Sequence, residues 1–89
     1  MKIAVFDTYV VRPDGRRMHF DILVPDQDAD RQEAVVLAHG RRYLAAKGVP
    51  AETLQARECR FCHTEFAVPA VEAEIRQTGF AIIEMENCD

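Results

Sequence analysis

The chain has 89 residues, 48% of them hydrophobic and 29% charged, which is the composition of one globular domain spanning residues 1–89. Its net charge is −4, and residues 58–89 hold seven of the fifteen acidic groups but two of the eleven basic ones, which argues against a nucleic-acid binder. The apolar runs are too short for a signal peptide or a membrane span, so we expect a cytoplasmic protein that binds no membrane.

The first predicted element is a β-hairpin around the turn Arg12-Pro13-Asp14-Gly15. Proline presets φ at the second turn position and glycine takes a left-handed position, so the turn pairs Arg12 with Arg16. In this register one side of the hairpin is almost entirely apolar and is predicted to face the core. The residues on that side are Ala4, Phe6, Thr8, Val10, Met18, Phe20, Ile22 and Val24.

The other side of the hairpin, the outer face, carries a compact group of polar side chains. The same register places Asp7 opposite Asp21 and Tyr9 opposite His19. Like charges directly opposite one another destabilise a sheet, so the aspartate pair is expected to have a cationic partner.

A helix follows the hairpin, with Val36, Leu37, Gly40 and Leu44 at helical spacing on its buried side. Gly40 on this side would allow the helix backbone to approach the sheet closely. Gly48 and Pro50 end the helix, and Leu54 is predicted to anchor the loop that comes next.

The next segment, Glu58 to Glu65, contains two of the three cysteines and matches the haem-attachment pattern C-x-x-C-H. No glycine, proline, asparagine or aspartate interrupts it, and its residues favour a strand. A regular strand would place Cys59, Phe61 and His63 on one face and Arg60, Cys62 and Thr64 on the other. Because residues three apart then lie roughly 10 Å apart on opposite faces, the strand excludes a Cys59–Cys62 disulfide or a zinc ion shared by both thiols.

A second helix is predicted from Pro69, with Val71 and Ile75 towards the core and Gly79 as the stop. A final strand runs from Phe80 to Glu86. The order β-β-α-β-α-β predicts an α+β protein, a two-layer α/β sandwich with a mixed four-stranded sheet and both helices on one face.

An uncovered outer face would expose apolar side chains and favours a homodimer through that face. The residues on which this expectation rests are Val5, Tyr9, Val11, Leu23 and Ile82.

Four stretches resemble a bacterial family, Domain of Unknown Function twenty-twenty-four. They are Ile3–Val10, Met18–Pro25, Glu58–His63 and Ile82–Cys88, and the resemblance covers nearly the whole chain. It implies a small standalone α/β domain, and it brings no activity, substrate or cofactor, so no catalytic residue carries over.

The sequence therefore predicts a binding or protein-interaction module without a catalytic centre and without a cofactor. The candidate ligand-binding residues are Asp7, Tyr9, His19, Asp21, Arg60 and Cys62. Three interpretations of this group stay open: a divalent-cation site, a network in which Arg60 bridges the two aspartates, or two solvated aspartates. The alternative function is zinc binding by Cys59, Cys62, His63 and Cys88, and a thiol-based enzyme is less favoured.

Overall fold

The computed structural model describes residues 1–89 and has four strands and two helices in the predicted order. The strands are β1 (Lys2–Val11), β2 (Arg17–Pro25), β3 (Cys59–Phe66) and β4 (Ala81–Glu86), and the helices are α1 (Glu33–Ala46) and α2 (Pro69–Thr78). Two short 3-10 turns, Ala51–Thr53 and Ala56–Glu58, lie between α1 and β3. The α+β class is confirmed. Neither helix has the length and apolar character needed to cross a membrane.

The predicted hairpin register is confirmed residue by residue. The Arg12 amide donates to the Arg16 carbonyl at 2.8 Å, and Gly15 takes the left-handed conformation with φ 89°. Asp7 consequently lies opposite Asp21 in the paired strands, and Tyr9 lies opposite His19.

The sheet has the order β3-β1-β2-β4, and every neighbouring pair is antiparallel. The prediction of a mixed sheet is therefore wrong. β3 pairs with the edge of β1 that does not contact β2, and β4 pairs with the edge of β2 that does not contact β1. Each of these two strands is antiparallel to the strand it joins.

The prediction that both helices lie on one face is also wrong, because the helices cover opposite faces of the sheet. Val36, Leu37 and Leu44 of α1 pack with the core side of the hairpin, which we call the α1 face. Val71 and Ile75 of α2 pack on the other side, the α2 face, in a cluster with Ile3, Val5, Leu23 and Ala81. The right-handed crossover rule constrains α1, which joins the parallel strands β2 and β3, but not α2, which joins the antiparallel strands β3 and β4.

The position of α2 removes most of the basis for the predicted homodimer. Val5 and Leu23 are 2% and 3% exposed beneath α2. Ile82 packs against the α1-face cluster, while Val11 remains 62% exposed. Self-association stays a prediction, but the broad uncovered apolar face that favoured it does not exist.

A β-bulge interrupts β3 in the middle of the cysteine segment. Val5 pairs with His63 and Phe6 pairs with Phe61, which leaves Cys62 without a partner on β1. The extra residue shifts the alternation of side chains, so His63 falls on the α2 face and Phe61 on the α1 face. The prediction that Cys59, Phe61 and His63 share a face is therefore wrong for His63.

Candidate functional site

The candidate site lies on the part of the α2 face that α2 leaves uncovered. The two central strands supply it: Asp7 and Tyr9 come from β1, and His19 and Asp21 come from β2. The side chains of Asp7, His19 and Asp21 are 36%, 19% and 20% exposed, so the site is partly sheltered but open to solvent. We call these four residues the polar group.

An imidazole lies between the two aspartates of the polar group. His19 Nε2 is 2.5 Å from Asp7 Oδ1 and 3.9 Å from Asp21 Oδ1. One ligand atom from each of the three side chains lies within 4.8 Å of the other two. The site thus combines two carboxylates and one imidazole at the spacing of a potential metal site.

An aromatic stack holds the His19 ring in place. The Tyr9 and His19 rings are 4.2 Å apart between centroids and are inclined by 13°. The Arg17 guanidinium carbon lies 4.0 Å from the Tyr9 centroid, which is the geometry of a cation–π contact. Arg17 was not among the predicted site residues, although its position diagonally across from Tyr9 in the predicted register could have indicated it.

The surroundings of Asp21 favour its protonated form. Burial raises the pKa of Asp21 to about 6, and the hydrogen bond and negative charge of Asp7 raise it as well. The charges of His19 and His63 act in the opposite direction on this pKa. The folded protein therefore retains a proton on Asp21 at mildly acidic pH.

The predicted bridge between Arg60 and the two aspartates is not formed. Arg60 is paired with Asp7 across β1 and β3, but its Nε donates to the Arg57 carbonyl at 3.4 Å. The long side chain reaches back to the preceding turn, and His19 takes the place beside Asp7 that was predicted for arginine.

Cys62 also lies apart from the polar group. It is the unpaired residue of the bulge, is exposed, and has its sulfur 3.2 Å from Nδ1 of His63. His63 Nε2 in turn lies 2.6 Å from Glu65 Oε1. Of the six predicted site residues, the structure brings four into direct association and leaves Arg60 and Cys62 at the margin.

The cysteines of the alternative zinc site are not brought together. Cys59 belongs to the edge strand β3, where it accepts a hydrogen bond from Thr8 Oγ1 at 3.4 Å and burial raises the pKa of its thiol. Cys88 follows β4 at the other edge and donates to the His19 carbonyl at 3.2 Å. Strands β1 and β2 lie between the two edges, and all three cysteines are free thiols.

Asp21→Asn is expected to raise the free energy of unfolding at pH 8 by about 1 kcal/mol, after allowance for partial solvent screening. The folded pKa of about 6 lies above the ordinary value of 3.8, so the folded protein holds a proton that the unfolded chain releases. Wild-type stability should therefore fall as the pH rises from about 4 to about 6. Asparagine cannot ionise, and its amide can donate to Asp7 as the protonated carboxyl does.

Urea denaturation at pH 4.5 and pH 8 measures this effect. The gain should be complete at pH 8 and shrink to about a third of that value at pH 4.5, whereas Asp28→Asn, at an exposed carboxylate, should change neither midpoint. A lower midpoint for Asp21→Asn at pH 8 would show instead that the ionised carboxylate has a cationic partner in the protein.

The chain is similar to known proteins over nearly its whole length. Residues 1–85 match the family model described as Domain of unknown function (DUF2024). The chain is also similar to the NMR structure of protein NE1680 from Nitrosomonas europaea, a structural genomics target. The two are 38% identical, the match covers 100% of each chain, and the TM-score is 0.84. No curated protein matches the chain.

Proposed function

The chain belongs to the DUF2024 family, as its four motif stretches indicated, and from the polar group we propose that it is a binding module for a divalent transition-metal cation. Asp7, His19 and Asp21 are the ligands in this proposal. The observation that carries it is the convergence of three ligand atoms within 4.8 Å on one partly sheltered surface.

The spacing of the three ligand atoms suits an ion after a small adjustment. Zinc binds nitrogen and oxygen ligands at about 2.0–2.2 Å, so two ligands of one ion lie roughly 3–3.5 Å apart. The distances from His19 Nε2 are 2.5 Å to Asp7 and 3.9 Å to Asp21, which fall on either side of that spacing. A slight opening of the Asp7–His19 contact would admit the ion.

The electrostatics of the site favour a cation. Burial is the largest cause of the raised pKa of Asp21, and the neighbouring Asp7 carboxylate raises this pKa further. A bound divalent cation would replace the proton on Asp21 and stabilise the negative charges of both aspartates. Metal affinity is therefore expected to increase as the pH rises from about 5 to about 7.

The imidazole determines which cations are preferred. Nitrogen ligands favour zinc, cobalt or nickel, whereas magnesium and calcium prefer oxygen ligands alone. The stack on Tyr9 holds the His19 ring with Nε2 towards the aspartates, which reduces the ordering required on binding. Because the three side chains are partly exposed, water can occupy the remaining coordination positions.

A cytosolic site of action is part of the proposal. It is supported by the three free cysteines, which persist as thiols in a reducing compartment.

Calorimetric titration of metal-free protein with zinc and with cobalt tests the proposal. We expect saturable binding of one ion, reduced by about 100-fold, or roughly 2.7 kcal/mol, in Asp21→Asn and in His19→Gln. Asp28→Asn and His39→Gln are matched controls outside the site and should bind as the wild type does. Circular dichroism establishes that each variant is folded.

Cys62→Ser separates this site from the cysteine alternative. Its zinc affinity should equal that of the wild type. Loss of zinc binding in Cys62→Ser with normal binding in Asp21→Asn would contradict the proposal, as would the absence of saturable binding at micromolar zinc.

A further inference from the structure

Two adjoining cavities open beside the polar group, between the sheet and the 3-10 turn Ala56–Glu58. Their volumes are about 520 and 340 Å³. Both are lined by Tyr9, Arg17, Arg57 and Glu58. The larger one continues towards Thr53, and the smaller one towards Asp7 and Arg60. Together they have the size of a small-molecule site.

Three arginines from three different elements surround this joint cavity. Arg17 comes from β2, Arg57 from the 3-10 turn and Arg60 from β3. Such a convergence of guanidinium groups is unexpected in a chain whose net charge is −4. A cluster of guanidinium groups is a typical binding arrangement for carboxylate and phosphate, because each group presents a planar fork of donors.

The two carboxylates at the cavity already have partners. Glu58 accepts from Arg57 Nε at 2.7 Å and from the Gln55 amide at 3.1 Å. Asp7 is engaged by His19 at 2.5 Å. Neither acid forms an ion pair with Arg17 or Arg60.

The guanidinium groups of Arg17 and Arg60 retain donors for a ligand. Arg17 contacts the protein through the face of Tyr9, and Arg60 makes one long hydrogen bond, from Nε to the Arg57 carbonyl at 3.4 Å. Their terminal nitrogens have no acceptor within the protein, so they are free to form charge-assisted hydrogen bonds with an anion.

From this arrangement we propose that the joint cavity binds the oxyanion, carboxylate or phosphate, of a small organic molecule. Arg17 and Arg60 hold the anion, and the organic part lies against Val11 and the edge of the Tyr9 ring, because His19 and Arg17 cover the two faces of that ring. The joint cavity shares Asp7 with the polar group but does not include His19 or Asp21, and the donors for the anion come from Arg17 and Arg60, so the proposal requires no metal in the polar group.

Titration of the metal-free protein in EDTA, followed by NMR shifts of the backbone amides, tests this proposal. The probes are phenyl phosphate, benzoate, inorganic phosphate and benzyl alcohol as the neutral analogue. Phenyl phosphate or benzoate should bind at least about tenfold more tightly than benzyl alcohol, with the shifts at Tyr9, Val11 and Arg60. The affinities of phenyl phosphate and benzoate show which of the two anions the cavity prefers. The affinity of inorganic phosphate shows how strongly the anion binds without the organic part.

Arg17→Gln and Arg60→Gln should each weaken binding of the better probe by about tenfold. Arg42→Gln removes an exposed arginine outside the cavity and should leave the affinity unchanged. An equal loss in Arg42→Gln, or equal affinity for the anionic and neutral probes, would overturn the proposal. Because the buffer contains EDTA, failure of this test is separate from failure of the metal proposal.

Discussion

Leu54→Ala is expected to lower the free energy of unfolding by about 3 kcal/mol, which is a large part of the stability of a domain of this size. Leu54 lies between the two 3-10 turns rather than in a helix or strand, yet its side chain is completely buried in the α1-face cluster. Alanine would leave a cavity between α1 and the sheet. Urea denaturation monitored by circular dichroism measures the loss, and Met85→Ala, at a side chain that is 55% exposed, should change the free energy by less than about 0.5 kcal/mol.

Gly40 provides a second test of the same contact. A Cβ atom at this position would lie 2.6 Å from Leu54 Cδ2 and 2.9 Å from Ile22 Cδ1. Gly40→Ala should therefore destabilise the protein by about 1–2 kcal/mol, although alanine favours the helix by about 1 kcal/mol. In the Leu54→Ala background one of the two overlaps is removed, so the same change should cost about 1 kcal/mol less. Strict additivity of the two changes in the free energy of unfolding would contradict the close packing of Leu54 against Gly40.

Leu23→Ala is expected to cost about 2–4 kcal/mol and tests the placement of α2. Leu23 is 3% exposed and packs with Val71 and Ile75, which are 8% and 4% exposed. If both helices lay on the α1 face, Leu23 would be exposed and its truncation would cost little. Val11→Ala is the matched control, because Val11 belongs to the same hairpin and is 62% exposed.

The double substitution Leu23→Ala with Ile75→Ala strengthens this test. Both side chains belong to one buried cluster, so their effects should deviate from additivity by at least about 0.5 kcal/mol. A change below about 0.5 kcal/mol for Leu23→Ala alone would contradict the position of α2.

Local features of the sequence were sufficient to predict the hairpin and the buried sides of the helices. The turn at Arg12-Pro13-Asp14-Gly15 and the alternation of side chains determine the register, and the register places Asp7 opposite Asp21 and Tyr9 opposite His19. Spacing along each helix likewise predicted the four buried residues of α1 and the two of α2. These properties depend on neighbours in the chain or across one hairpin, so a single sequence contains them.

The tertiary structure alone decided which groups meet within the site. The choice of His19 rather than Arg60 as the partner of Asp7 depends on side-chain conformation, and Arg60 has enough reach to bond to Arg57 instead. One extra residue in β3 decided that His63 lies on the α2 face, the face that carries the aspartates, and strand alternation cannot predict a bulge.

The side of the sheet that α2 covers was also decided by tertiary structure. The apolar side of α2 could pack on either face of the sheet, and Val5 and Leu23 could be covered by a helix or by a partner molecule. The face that α2 covers depends on which sheet edge β3 and β4 join. The handedness rule applies only to a connection between parallel strands, so it does not fix the face covered by a helix that joins antiparallel ones. Since β3 and β4 take opposite edges and run antiparallel, α2 packs where apolar surface remains, and it leaves the polar group open.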